Sequence, residues 1–102
     1  MDWYDYVAHA FAALFLVNSL PHLIAGLTGR PFPSPFSSPP GRGDSPPVVN
    51  VMWGSFNLAV VWLLLWLSPI PANWPLADKL IMAAAAFVTA VGLANFFSRP
   101  RV

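Results

Sequence analysis

Apolar residues in this chain gather into three long blocks, about Tyr6 to Leu27, Val48 to Leu67 and Leu76 to Phe97, and the stretches between them are rich in Pro, Gly and Ser. Each block is close to the roughly 20 residues a helix needs to cross bilayer hydrocarbon. Barrel strands would alternate over segments of roughly ten residues, and three of them cannot close a sheet. The pattern therefore predicts an all-α membrane protein: three transmembrane helices (6–27, 48–67 and 76–97) in a single domain spanning 1–102. Before the first block stands Met1-Asp2-Trp3-Tyr4-Asp5, which lacks the basic start of a secretory signal, so the first helix is expected to be retained.

Prolines dictate the connections. The loop 28–47 holds Pro31, Pro33, Pro35, Pro39, Pro40, Pro46 and Pro47, which favour extended backbone over helix interior. Phe32 and Phe36 in that proline-rich loop favour docking on the helices. The second connection, Ser68 to Pro75, is short, so the second and third helices are expected to pair as an antiparallel hairpin.

Composition sharpens the class. Of 102 residues 57% are hydrophobic and only 9% charged, too few to solvate a soluble domain of this size. A net charge of +1 without a basic cluster gives no footprint for nucleic acid. The absence of cysteine removes disulfides, thiolate metal sites and cysteine nucleophiles. Arg30, Arg42, Arg99 and Arg101 fall on one side of a three-span chain, and the other side carries Lys79, Asp78, Asp2 and Asp5. The positive side is expected to be cytoplasmic, giving a multi-pass protein of the plasma membrane with its N-terminus outside and its C-terminus inside.

The few polar residues inside the spans carry the functional information, because a polar group in hydrocarbon needs a partner. Asn18 and His22 are spaced i, i+4, and Asn50, Gly54 and Asn57 are spaced i, i+4, i+7, so each helix has one polar stripe. Counted from the inner ends at about 1.5 Å per residue, Asn18 and Asn57 both lie roughly 13 Å deep, and His22 and Gly54 roughly 8 to 9 Å. Asn50 and Asn95 fall near the interface. On the third span Ala84, Ala85, Thr89 and Gly92 offer small side chains for close packing near Asn95. Two readings follow: these residues hydrogen-bond the helices together, or Asn18, His22, Asn50, Asn57 and Asn95 line a polar pocket closed by the loop. Pro21 is expected to kink the first helix beside His22.

His9 and His22 lie about 20 Å apart along one helix, so one chain cannot clamp a haem between them; His22 could ligate one only in an oligomer. His9 is expected at the outer interface beside Asp5, solvated or in the aromatic belt. No constellation for catalysis or for metal binding is visible, and no cofactor is expected. The functional expectation is a non-catalytic accessory or scaffold subunit, partnered by lipid and by other membrane subunits or copies of itself. The alternative is a homo-oligomeric carrier or channel using the pocket around His22.

Asn18-Ser19-Leu20-Pro21-His22, Gly29-Arg30-Pro31-Phe32-Pro33-Ser34-Pro35-Phe36, Pro39-Pro40-Gly41 and Asn50-Val51-Met52-Trp53-Gly54 together resemble a group of small bacterial inner-membrane proteins with no assigned activity. The resemblance covers about the first two thirds of the chain. It implies the topology and a bacterial source, and it brings no catalytic residue with it.

Overall fold

A computed structural model describes residues 1–99, so Arg101 lies outside the described residues. Three helices dominate: α1 (Trp3–Leu27), α2 (Pro47–Leu67) and α3 (Leu76–Phe97). All three are long and apolar enough to cross a membrane. The principal extents are 46 × 23 × 20 Å, a rod about as long as a bilayer with its headgroups is thick.

Helix α1 starts three residues before the apolar block. The acidic lead explains this, because the Asp2 backbone N–H donates to Asp5 Oδ2 at 2.9 Å, and negative charge in the first turn suits the helix dipole. The helix runs unbroken through Pro21. It closes on Gly29, whose φ of 73° admits the left-handed turn, with Gly29 N–H bonded to Gly26 O and Arg30 N–H to Ala25 O. Helix α2 opens on Pro47, where a missing N–H costs nothing.

The connection 28–46 is more ordered than its prolines alone predict. Phe32–Pro33 (β1) and Asp44–Ser45 (β2) pair antiparallel, Phe32 opposite Ser45 and Pro33 opposite Asp44. Ser34 Oγ and Ser45 Oγ are 2.6 Å apart beneath that pairing, and Ser37 Oγ donates to Ser34 O. The unit packs on the ends of α1 and α2.

Helix α1 packs against both other helices, and α2 and α3 share no comparable interface. The expected α2–α3 hairpin is thus corrected. Residues 68–75 instead carry the chain across the N-terminal end of α1, held there because Ser68 O accepts a hydrogen bond from His9. A short connection limits distance, but it does not decide which helix lies between two others.

Burial is inverted relative to a protein folded in water. The buried positions of α1 are His9, Ala12, Ala13, Ser19, His22 and Ala25, and those of α2 are Asn50, Gly54 and Asn57. Large apolar side chains point outward: Trp62 is 67% exposed, Phe87 69% and Val88 68%. In α3 only Asp78 is buried.

Close approach of α1 and α2 rests on two glycines. A Cβ on Gly26 would lie 2.6 Å from Pro47 O, and one on Gly54 would lie 2.6 Å from Leu23 Cγ and 3.2 Å from the Leu23 backbone nitrogen. Gly92, read from sequence as part of a close-packed stripe, meets nothing within 4 Å. Gly54→Leu should therefore destabilise the bundle by about 1–3 kcal/mol, the usual cost of overpacking, and Gly92→Leu should be near neutral. Detergent-solubilised protein titrated with SDS and followed by far-ultraviolet circular dichroism measures both; equal midpoints for the two variants would contradict this packing.

Candidate functional site

Two asparagines of α2 organise the half of the bundle next to the connection 28–46. Asn57 Nδ2 donates to Trp53 O at 2.8 Å, four residues back on its own helix. Its Oδ1 is thereby turned toward α1, where it accepts from Asn18 Nδ2 at 2.9 Å. Asn50 repeats the device. Its Nδ2 is surrounded by Phe32 O at 2.8 Å, Ser45 O at 3.2 Å and Pro46 O at 3.3 Å, and Oδ1 faces His22 Nδ1 at 2.8 Å. Both amides are oriented by carbonyls, so both present an acceptor to α1.

This orientation decides the His22 tautomer. With Asn50 Oδ1 as its partner, Nδ1 must carry the hydrogen, and in the neutral ring Nε2 keeps its lone pair. No described residue pairs with Nε2. The ring is met edge-on by Phe32, Trp53 and Phe97, at centroid distances of 5.6, 6.4 and 6.1 Å. Together they box the histidine. Asn18 likewise retains a side-chain oxygen without a partner among the described residues.

Asn18 and His22 line a cavity of about 370 Å³ between α1, the connection 28–46 and the end of α3. Pro33, Pro40, Trp53 and Phe96 supply much of its apolar wall. Of the five residues expected in a pocket, these two reach the cavity, and Asn50 and Asn57 are fully buried behind them as their supports. Asn95 does not join the group. It is exposed, because it lies two positions from both Leu93 and Phe97, which turns it about 160° from each of those cavity-lining residues.

A second polar cluster stands at the opposite end, and the reading of His9 as a solvated or belt residue is corrected there. His9 is fully buried. Its Nδ1 lies 2.7 Å from Asp78 Oδ2 and its Nε2 2.7 Å from Ser68 O. A carbonyl can only accept, so Nε2 carries a hydrogen, and a further proton lies between Nδ1 and the carboxyl. Trp74 Nε1 donates to the same Asp78 oxygen at 2.7 Å, and Ser68 Oγ donates to Asp5 Oδ1 at 2.5 Å. Asp78 Oδ1 is buried with no hydrogen-bond partner. The cluster ties the start of α1, the end of α2 and the start of α3 together.

The signal for this cluster was present in the sequence. Counted from Tyr6 and Leu76, where their blocks begin, His9 lies roughly 4 to 5 Å along the helix and Asp78 roughly 3 Å. The same matching of depths that pairs Asn18 with Asn57 pairs these two residues. Among the described residues no group of three or more His, Asp or Glu side chains is placed to hold a metal ion.

Removing one member of a buried pair strands the other, which costs about 3–5 kcal/mol. His9→Ala and Asp78→Ala should each lower stability by about that amount, and the double variant by clearly less than the sum. A double-mutant cycle in SDS titration reads the coupling; additive losses would show that the contact carries none.

The chain matches no protein-family model, no curated protein and no solved structure.

Proposed function

We propose that the chain is an integral membrane protein acting as a non-catalytic accessory or scaffold subunit of a larger membrane assembly. The observation that carries this reading is the inversion of burial. Histidines, asparagines and an aspartate are inside, and tryptophan, leucine, phenylalanine and valine form the outer surface. Such a surface suits lipid or the apolar flank of another membrane subunit, and in water it would be an aggregation surface. Helix α3, with nearly its whole length uncovered by the rest of the chain, is the face on which a partner helix gains the most contact.

Charge distribution supports an N-out, C-in orientation in a bacterial inner membrane, with the proline-rich connection on the cytoplasmic side. Arg42 and Arg99 both lie over the Phe96 ring, at 5.6 and 5.8 Å, so these cations share one end of the rod. Lys79, over Trp74 at 5.4 Å, is at the other. Positive charge concentrated at one end is what the positive-inside tendency reads. The resemblance to small bacterial inner-membrane proteins points the same way.

Native mass spectrometry of the untagged, gently extracted assembly, with every polypeptide identified, tests the role. Foreign subunits at a fixed ratio are expected. A pure homo-oligomer would overturn the accessory reading and favour a carrier built from copies of this chain. Since the chain has no cysteine, single Asp2→Cys and Ser98→Cys variants test orientation. An impermeant maleimide added to intact cells should label the first and spare the second.

A further inference from the structure

We propose that the cavity beside His22 is a binding site for a planar ring bearing a hydroxyl group, a phenol-type headgroup, held by donation of its O–H to His22 Nε2. The case begins with what the site lacks. His22 is 3% exposed, yet one of its two ring nitrogens has no protein partner, and the residue lines an open volume. Nε2 has no partner and is not among the buried unpaired atoms, so on a residue that lines this cavity it is an acceptor that an entering donor can reach. Which nitrogen is free is not incidental. Three carbonyls orient the Asn50 amide, that amide sets the proton on Nδ1, and the cavity is left with an acceptor. Asn18, one turn earlier on α1, adds a second acceptor oxygen.

Shape and lining select the rest of the ligand. About 370 Å³ lies at the lower end of the range for small-molecule sites, and a cavity of roughly 150 Å³ already admits benzene. There is room for one substituted ring. Trp53, Phe96 and Phe97 supply aromatic surfaces, and Pro33, Pro35 and Pro40 supply flat aliphatic ones, which suit a planar ring better than a flexible chain. Ser34 is occupied, with its hydroxyl paired to Ser45 and accepting from the Phe36 N–H. One wall belongs to α3, whose outer surface is apolar, so the ligand arrives through lipid and carries an apolar substituent. The proposal rests on the cavity alone and is independent of whether the chain assembles with other subunits.

The test uses the full chain in lipid nanodiscs with 4-decylphenol, and with 4-decylanisole as the same ring and tail without the donor. Calorimetric titration should show the phenol binding about tenfold tighter than the ether, the worth of one hydrogen bond to a buried acceptor. Equal affinities would overturn the proposal, as would equal affinity for the ring-free alcohol 1-dodecanol. In protein labelled with ¹⁵N at histidine, the bare ring nitrogen of His22 is the signal that disappears in His22→Phe, which separates it from His9 Nδ1 and the proton it shares with Asp78. That signal should move upfield with the phenol and stay in place with the ether; an unmoved signal at saturation would also overturn the assignment. His22→Phe should abolish the preference for the phenol. Because that change also strands Asn50, Leu93→Trp is the companion variant: it narrows the cavity without touching a polar group and should weaken phenol binding at least tenfold. Unchanged binding in Leu93→Trp would place the ligand elsewhere.

Discussion

The half of the bundle next to the connection 28–46 depends on an asparagine that hydrogen-bonds to carbonyls with its amide nitrogen. On α2 this happens twice. Asn57 bonds back to Trp53 O, and Asn50 bonds to Phe32 O, Ser45 O and Pro46 O, so each side-chain oxygen is fixed facing α1. The facing helix must then offer donors at the same two heights, and Asn18 and His22 do so, one turn apart. Asn50 also holds the end of the β1–β2 pairing, so the fold of the connection 28–46 and the protonated nitrogen of His22 are set by the same amide. An aspartate at position 50 could not do both, having no N–H to give the carbonyls.

Packing and hydrogen bonding divide the work unequally along the rod. In a lipid environment apolar contact between helices gains little over apolar contact with lipid, and an interhelical hydrogen bond contributes on average only ~0.6 kcal/mol. The two α1–α2 bonds are therefore too weak to hold the helices alone. What they add is register. Gly26 against Pro47 and Gly54 against Leu23 admit the close approach that gives dispersion contact, and the asparagines fix which residues meet. Helix α3 has neither device. It is attached at its ends, by Asp78 on His9 and by Phe97 against Phe32 at 4.6 Å, with its middle largely exposed.

How much of this the sequence carries differs by element. The helices were legible from hydropathy because length and apolarity are local. The stripe Asn50, Gly54, Asn57 was legible because spacing of i, i+4, i+7 defines a face whatever the partner. The start of α1 was not, since Asp2 and Asp5 extend the helix by capping rather than by apolarity. Asn95 and Gly92 were misplaced because polarity and small size do not say which side of α3 meets α1. The β1–β2 pairing depends on bonds between residues eleven apart, Ser34 to Ser45, in a stretch whose prolines spoke only for extended backbone.

The two polar clusters also differ in kind, and depth accounts for it. In a bilayer a charged or proton-sharing pair such as His9 and Asp78 would carry a desolvation cost that rises steeply toward the middle, and this one sits within the first turns of α1 and α3, at one end of the rod. At roughly 12 to 13 Å from the opposite ends the chain uses amides and the hydroxyls of Ser19 and Thr89, all of them neutral. His22 lies between these limits, and its amide partner lets it stay neutral where a carboxylate partner would bring a charge deeper into the bundle. A neutral imidazole with one nitrogen committed is an acceptor at the other, and that acceptor exists because α2 supplies an asparagine at position 50.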